Sequence, residues 1–337
     1  MSGGTEFWFK PLLNGEGIAY NPRSYTFYYL NNKQAQKLLA NHRCKIIKPK
    51  FLNPFWLCFF DLSYKCNLNC VHCHNQYKMD ELTFEQKIDV IRQIHELGVL
   101  HISFSGGEPT LYPKLIDILK YASKNATCSF VTNGCFINEK LVKQLKGLVT
   151  YVGVSLDGFR ETHAKMRGAD IFDKAINAIK LLKKYGIQVR VTSTPTKINY
   201  KELPDLGKFI INELGETWKL MVYMPEGNRR DDLCLSEKEE RWLYKKIRNL
   251  GKEKVDYYFN IPCPAGKSVF SIYANGDVSP CGFLPQLVSG NVRERPLIEI
   301  LREGTFFKLL RIVKLKKCLS RSYWRGEKGF SLKIPMQ

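Results

Sequence analysis

The chain has 337 residues, 44% of them hydrophobic and 25% charged, with a formal net charge of +20. No run approaches 18 uncharged apolar residues, which argues against a membrane-spanning helix, and the N-terminal residues carry no signal-peptide pattern. The 11 cysteines are an odd number without a secretory context, so a disulfide framework is not expected and a reducing, cytoplasmic location is.

Residues 1–50, rich in Tyr, Asn and Lys, read as a short strand pair followed by a helix near Lys33–Ala40, a segment with no legible role. From Phe55 to about Met224 a regular alternation sets in. Apolar strands are predicted at Trp56–Asp61, Leu100–Phe104, Cys128–Val131, Tyr151–Leu156, Gln188–Thr194 and Trp218–Met224. Between them lie helices at Phe84–Leu97, capped by Thr83, then Tyr112–Ala122, Glu139–Leu145, Ile171–Tyr185 and Lys201–Leu214. Strands alternating with helices of this length mean βαβ units and a parallel sheet. Six units are too few for an eight-fold closed barrel, so the expected fold class is α/β: a partial (β/α)6 TIM-like barrel over residues 51–230, with a small hairpin-and-helix extension over 231–337.

Chemistry in such barrels gathers on loops after the C-terminal strand ends. The unusual sequences of this chain fall there. Cys66-Asn67-Leu68-Asn69-Cys70-Val71-His72-Cys73 follows the first strand, Gly106-Gly107-Glu108-Pro109 the second, Thr132-Asn133-Gly134 the third and Asp157-Gly158 the fourth. Three thiolates within eight residues suit a cubane cluster bound through three irons with the fourth left open. A Cys₃His zinc site using His72 or His74 is the alternative, although zinc motifs usually come as two separated ligand pairs.

Further on, Asn275-Gly276 marks a hairpin between Val269–Tyr273 and Val278–Ser279, with Cys263 before it and Cys281 after it. Such a hairpin can bring both thiols to one cluster, and Cys318 follows; three buried cysteines in a structural cap are the plain alternative. Cys44, Cys58, Cys128, Cys135 and Cys234 match no ligand spacing and are expected as buried apolar thiols. Residues 293–337 hold 12 Lys/Arg against 4 Glu. That basic tail could attract RNA, anionic lipid, a polycarboxylate or an acidic electron donor. No zinc-finger, helix-turn-helix or RNA-recognition pattern accompanies it, so a solvated Lys-rich surface is preferred to nucleic-acid binding.

The Cys-x3-Cys-x2-Cys loop followed by Gly-Gly-Glu-Pro resembles the radical S-adenosylmethionine (SAM) enzymes, over residues 55–225 and on towards the C-terminus. The resemblance implies a 4Fe–4S cluster on Cys66, Cys70 and Cys73 whose open iron chelates the methionine end of SAM. It implies cofactor contacts from His72, Gly106, Gly107, Glu108, Pro109, Asn133, Ser155, Asp157 and Arg167, where turn or loop roles compete for His72, Glu108, Asn133 and Asp157. Asn199 and the Pro225-Glu226-Gly227 bend are weaker candidates. One-electron reduction by a donor such as ferredoxin or flavodoxin would yield a 5′-deoxyadenosyl radical that takes hydrogen from the substrate.

The C-terminal pattern resembles the SPASM and twitch extensions, with Gly290-Asn291-Val292 and Leu297–Leu301 also matching. The SPASM cysteines at offsets of 3, 9 and 13 from Cys318 are replaced by Arg321, Glu327 and Ser331. One auxiliary 4Fe–4S cluster on Cys263, Cys281 and Cys318 is therefore plausible and two are not expected. Sulfatase-maturing relatives carry a basic aspartate where Gly282 stands here. The leading expectation is a maturase of peptide or protein side chains. Tailoring of a cofactor precursor such as a porphyrin is the second, since Val278-Ser279-Pro280-Cys281-Gly282-Phe283 resembles haem-pathway members. A non-catalytic iron–sulfur or RNA-binding protein is the third.

Overall fold

The computed structural model describes residues 6–75, 79–225, 230–251, 254–257, 263–313 and 318–324. The first sheet contains β1 (Phe7–Pro11), β2 (Gly17–Asn21), β3 (Thr26–Leu30) and β4 (Cys44–Ile46), in the order β3-β2-β1-β4, with α1 (Asn32–Asn41) between the last two in sequence. The expected strand pair is thus an antiparallel meander of three, joined by β4 running parallel to β1.

The main sheet is built from β5 (Leu57–Ser63), β6 (His101–Gly106), β7 (Thr127–Thr132), β8 (Tyr151–Ser155), β9 (Gln188–Ser193) and β10 (Thr217–Leu220), each parallel to the next. This is the six-stranded partial barrel expected from the alternation. Three further strands extend it. β11 (Val255–Tyr257) pairs parallel with β10, and β12 (Val269–Ile272) pairs parallel with β5 and antiparallel with β13 (Val278–Ser279). The C-terminal hairpin is therefore continuous with the barrel sheet.

The outer face of the strands carries Phe60, Leu62, Phe104, Phe130 and Val154. They pack as one buried core under helices α2 (Phe84–Glu96), α3 (Leu115–Ala122), α4 (Glu139–Leu145) and α6 (Phe172–Lys184), with α5 (Arg160–Arg167) between the last two in sequence. Alternation along each strand turns the intervening residues inward, and many of these are polar or small, among them Ser103, Ser105, Gly153, Ser155 and Thr192. Thr83 caps α2 as expected, accepting from Gln86 N while Gln86 Oε1 accepts from Thr83 N. The helix expected over Lys201–Leu214 is shorter, α7 (Leu203–Lys208) passing into a π-helical turn at Phe209–Glu213. α8 (Glu237–Ile247), α9 (Leu297–Glu303), α10 (Thr305–Ile312) and α11 (Leu319–Trp324) complete the chain.

The N-terminal sheet has a place after all: it lies against the N-terminal ends of the barrel strands. Tyr20 contacts His101 at the start of β6, Phe27 packs on Trp56 just before β5 at 3.8 Å, and Tyr25 meets Tyr151 at the start of β8 at 4.6 Å. Buried Lys10 pins this sheet by donating to Asn53 Oδ1, Phe55 O and Leu97 O at 2.8, 2.6 and 2.8 Å. Lys10→Met leaves three acceptors without that donor, so a loss of about 3 kcal/mol is expected in urea unfolding; an unchanged midpoint would show that the anchor is dispensable.

Candidate functional site

The cysteine loop leaves β5 at the C-terminal end of the barrel, and Gly106 and Gly107 at the end of β6 lie directly against its backbone. A Cβ on Gly107 would fall 2.1 Å from Lys65 O, and one on Gly106 2.4 Å from Ser63 O. Gly107 N donates to Ser63 O at 2.7 Å and Glu108 N to Lys65 O at 2.8 Å. The space left by the two missing side chains is thus filled by the loop that carries the thiols. The glycines permit close packing of that loop on β6, and both also line the cavity.

Glu108 is 2% exposed. Its carboxylate accepts from Thr110 N, Thr110 Oγ1, Thr132 Oγ1 and Asn133 N at 3.1, 2.5, 2.6 and 2.8 Å. It ties the loops after β6 and β7 together. Asn133 Nδ2 then donates to Asn67 Oδ1 at 2.8 Å, joining the third loop to the cysteine loop. Pro109, buried, starts the short turn that Glu108 caps and does not line the cavity.

On the far side of the loop, Asp157 is fully buried after β8. Its Oδ1 accepts from Thr194 N at 2.8 Å and its Oδ2 pairs with Arg167 Nη2 at 2.7 Å, with His72 Nε2 3.9 Å away. Arg167 Nη1 in turn reaches Cys70 Sγ at 3.8 Å. Burial pushes the Asp157 carboxyl up, but Arg167, the two histidines His72 and His163 and the Thr194 amide hold it below the usual carboxylate range. Burial opposes the charge of Arg167 as well, and Asp157 and Cys70 more than offset it. Asp157 was expected at the cofactor, yet it does not line the cavity; it faces Arg167. Asn199 is likewise occupied: its side chain donates to Asp157 O and Thr194 O and accepts from Thr196 N. In the Pro225-Glu226-Gly227 bend, Glu226 and Gly227 lie outside the described residues.

One cavity of about 1320 Å³ runs through the barrel. Its lining includes Cys66, Cys70, Cys73, His72, Gly106, Gly107, Glu108, Asn133, Ser155 and Arg167, and also Cys263, Cys281 and Cys318. The Cys263 and Cys318 thiols are close enough to share a hydrogen bond, which with burial pushes the Cys263 thiol up. Cys318 Sγ also lies 3.3 Å from Ser320 Oγ. The rings of His74 and Phe283 meet at 4.9 Å, joining the N-proximal and C-proximal cysteine segments. The Asn275-Gly276 turn, with Gly276 at φ 93°, is fixed to the cysteine loop through Tyr64, whose hydroxyl donates to Asn275 Oδ1 at 3.2 Å. Of the five cysteines expected to be buried, Cys58 and Cys128 are; Cys44, Cys135 and Cys234 are only partly so.

Several wall residues escaped the sequence reading. Asp61, inward at the end of β5, accepts from Ser105 Oγ at 2.6 Å, and burial pushes its carboxyl up to about 6 against that hydrogen bond. Arg190 and Lys219 line the wall at β9 and β10. The signal was there for Lys219, a charge at the inward position of an otherwise apolar strand. Asn67, which supports the wall without lining it, carried none, since its contact with Asn133 is made across the fold.

His72 Nδ1, Arg167 Nε and Ser271 Oγ are buried polar atoms with no partner among the described residues, and all three side chains line the cavity. Unpartnered polar atoms in a cavity that also holds three thiols of one loop suit a polar cofactor beside a sulfur-ligated cluster. A parallel partial barrel with that arrangement at its C-terminal mouth is the architecture of a cluster-dependent SAM enzyme. The radical SAM superfamily model matches residues 61–210 and the SPASM iron–sulfur cluster-binding domain matches residues 263–321, so the chain belongs to the radical SAM superfamily with a SPASM C-terminal domain. It is an enzyme, with a 4Fe–4S cluster and SAM as cofactors, and its second domain implies auxiliary iron–sulfur binding. The non-catalytic reading is thereby set aside.

The chain is 29% identical to an Fe-coproporphyrin III synthase of Methanosarcina barkeri, over 78% of this chain and 77% of that protein. It is also 29% identical to the mycofactocin maturase MftC of Mycobacterium tuberculosis, over 69% of this chain and 66% of that one. In fold it resembles Streptococcus suis SuiB bound to the precursor peptide SuiA, with a TM-score of 0.73 at 16% identity, covering 91% of this chain and 90% of SuiB. Among the described residues no helix is long and apolar enough to cross a membrane.

Proposed function

We propose that this enzyme modifies an unactivated C–H position of a peptide or protein side chain, and that it holds two clusters around one substrate chamber. The observation that carries the reading is the shared cavity: the thiols of the N-proximal loop and those of Cys263, Cys281 and Cys318 line the same space. On this reading Cys66, Cys70 and Cys73 hold the SAM-binding cluster, and the three C-proximal cysteines hold one auxiliary cluster. With its cofactors bound, the site supplies a 5′-deoxyadenosyl radical that removes hydrogen from the substrate.

The chain's own residues do the rest. Arg167, steadied by Asp157, places positive charge at the Cys70 sulfur. His72 closes the loop against the same wall. Ser155, at the inward end of β8, offers a hydroxyl to the cofactor side of the chamber. Glu108 and Asn133 keep the three loops in register and dehydrated. A basic chain of net charge +20 suits an acidic one-electron donor such as a ferredoxin or flavodoxin.

Modification of a tetrapyrrole is the second reading, favoured by the relative from Methanosarcina barkeri, which aligns over more than three quarters of both chains. Both readings require 5′-deoxyadenosine from reduced, reconstituted protein and SAM; none formed would sink them. Iron counting tests the auxiliary cluster. Wild type should hold about eight irons and the Cys263→Ala/Cys281→Ala variant about four. Equal iron in the two would leave Cys263, Cys281 and Cys318 as structural thiols.

A further inference from the structure

The floor of the chamber, away from the thiol loop, is built unlike its walls. Arg190 on β9 is almost fully buried, yet its guanidinium lines the cavity between two rings, 5.2 Å from the centre of Tyr25 and 5.9 Å from that of Tyr151. Asp256 on β11 forms an ion pair with it. Lys219 on β10 lies opposite Thr192, one inward position beyond Arg190 on the neighbouring strand, so the two cations face the same space. Asp256 is the register partner of Lys219. Nearby Glu216 is engaged by Lys183 at 3.5 Å. Both cations thus lie at this end of the cavity, with Asp256 paired to Arg190.

The N-terminal sheet backs Arg190 from outside the cavity. Tyr25 adopts φ 56°, a left-handed conformation that residues with side chains rarely hold, and so turns its ring under the barrel. Its hydroxyl donates to Gln188 Oε1 at 2.9 Å. Strain spent on placing one ring against Arg190, together with the Asp256 pair, fixes the guanidinium before any ligand arrives. A rigid guanidinium with an adjacent ammonium is the arrangement that recognises a carboxylate. Burial, and then the neighbouring Arg190, bring the Lys219 ammonium down to about 7, so a second negative charge in this space would restore it.

We infer that Arg190 and Lys219 form a carboxylate-binding floor that seats a propionate-like arm of the substrate, with Tyr25 of the N-terminal sheet as the residue that positions Arg190. The inference rests on the reading that this chamber holds the substrate. A –CH₂CH₂COO⁻ arm is common to a glutamate side chain and to a porphyrin propionate, so both substrate classes offer the chemistry.

The test uses the full-length reconstituted protein and two probes, N-acetyl-Gly-Glu-Gly amide and iron coproporphyrin III, each beside its methyl ester. Reductive methylation of Lys219, read by mass spectrometry, reports occupancy of the floor, and titration of protection gives the affinity. The expected result is protection by at least one free acid and by neither ester. Affinity should fall about tenfold or more in Arg190→Gln, read as lost protection of Lys219, and hold in Arg241→Gln, a cation elsewhere on the cavity wall. In Lys219→Met, which lacks the reporter amine, equilibrium dialysis of the same probes should show the same fall. The acid that protects identifies the source of the carboxylate. Protection by ester and acid alike, by neither acid, or undiminished in Arg190→Gln, or undiminished dialysis binding in Lys219→Met, overturns the assignment. Thermal melts confirm that the variants fold. Formation of 5′-deoxyadenosine by the wild type, measured alongside, judges the functional reading separately.

Discussion

Replacing Arg167 by methionine should destabilise the enzyme by about 3–5 kcal/mol, because it leaves the Asp157 carboxylate buried with its main counter-charge removed. The change strands a charge and also strips the Cys70 sulfur of its neighbouring cation. These two consequences can be separated. In the Arg167→Met/Asp157→Asn double variant the stranded charge is gone, so most of the lost stability should return in urea unfolding. The reduction potential of the N-proximal cluster should stay displaced to more negative values in both variants, since a positive charge beside a thiolate favours the reduced, more negative cluster. Recovery of both stability and potential in the double variant would mean that Arg167 acts only as the partner of Asp157.

The sign of the pH dependence follows from the depressed carboxyl of Asp157. A group whose folded pKa lies below its unfolded value contributes stability that is present above the unfolded value, near 3.8, and disappears as pH falls through the folded one. The wild-type pair is therefore fully effective at neutral pH. In Arg167→Met the balance reverses, because burial alone raises the carboxyl. The variant's deficit should shrink as the medium is acidified and the carboxyl takes up a proton.

Gly107→Ala should be the most damaging single methyl in the barrel. Its Cβ would lie 2.1 Å from Lys65 O, a backbone atom that cannot rotate away, and relieving the clash breaks the bonds from Gly107 N and Glu108 N to the cysteine loop. Overpacking of this kind costs about 3 kcal/mol where the neighbour is rigid. Cys66, Cys70 and Cys73 should then lose register, so the variant should keep its far-UV spectrum while losing the iron of the N-proximal site and 5′-deoxyadenosine formation. Normal iron content in Gly107→Ala would show that the loop does not depend on its packing against β6. Ala at Gly147, where nothing lies within 4 Å of the added Cβ, is the matched control for space, although its φ of 80° carries a strain of its own.

Much of this architecture was legible because periodicity is a local property. The helix at Glu139–Leu145 has the same limits in sequence and structure, and the six barrel strands sit within one to four residues of their expected bounds. Thr83 was readable as a cap since its partner, Gln86, is three residues away. Other elements gave too little signal. Helix α5 is short, strongly polar and carries no capping side chain at Phe159, and α8 has an amphipathic pattern interrupted by charge. Strand β11 is three residues long and exists because β10 offers it an edge.

The sequence by itself determined the class of the enzyme: covalent spacing sets how many thiols one loop can present, and that spacing is fixed before the chain folds. Strand–helix alternation likewise determined that the loops after the strands would meet at one end. Only the tertiary structure decided what each polar residue faces, because a contact such as Arg167 to Cys70 spans 97 positions and depends on the register of separate strands. Asp157 proved to hold Arg167, and the Gly106-Gly107 pair to seat the cysteine loop. Tyr25 came to lie against Arg190 in the same way: a tyrosine at a hairpin tip meets that guanidinium only once the N-terminal sheet has packed on the barrel.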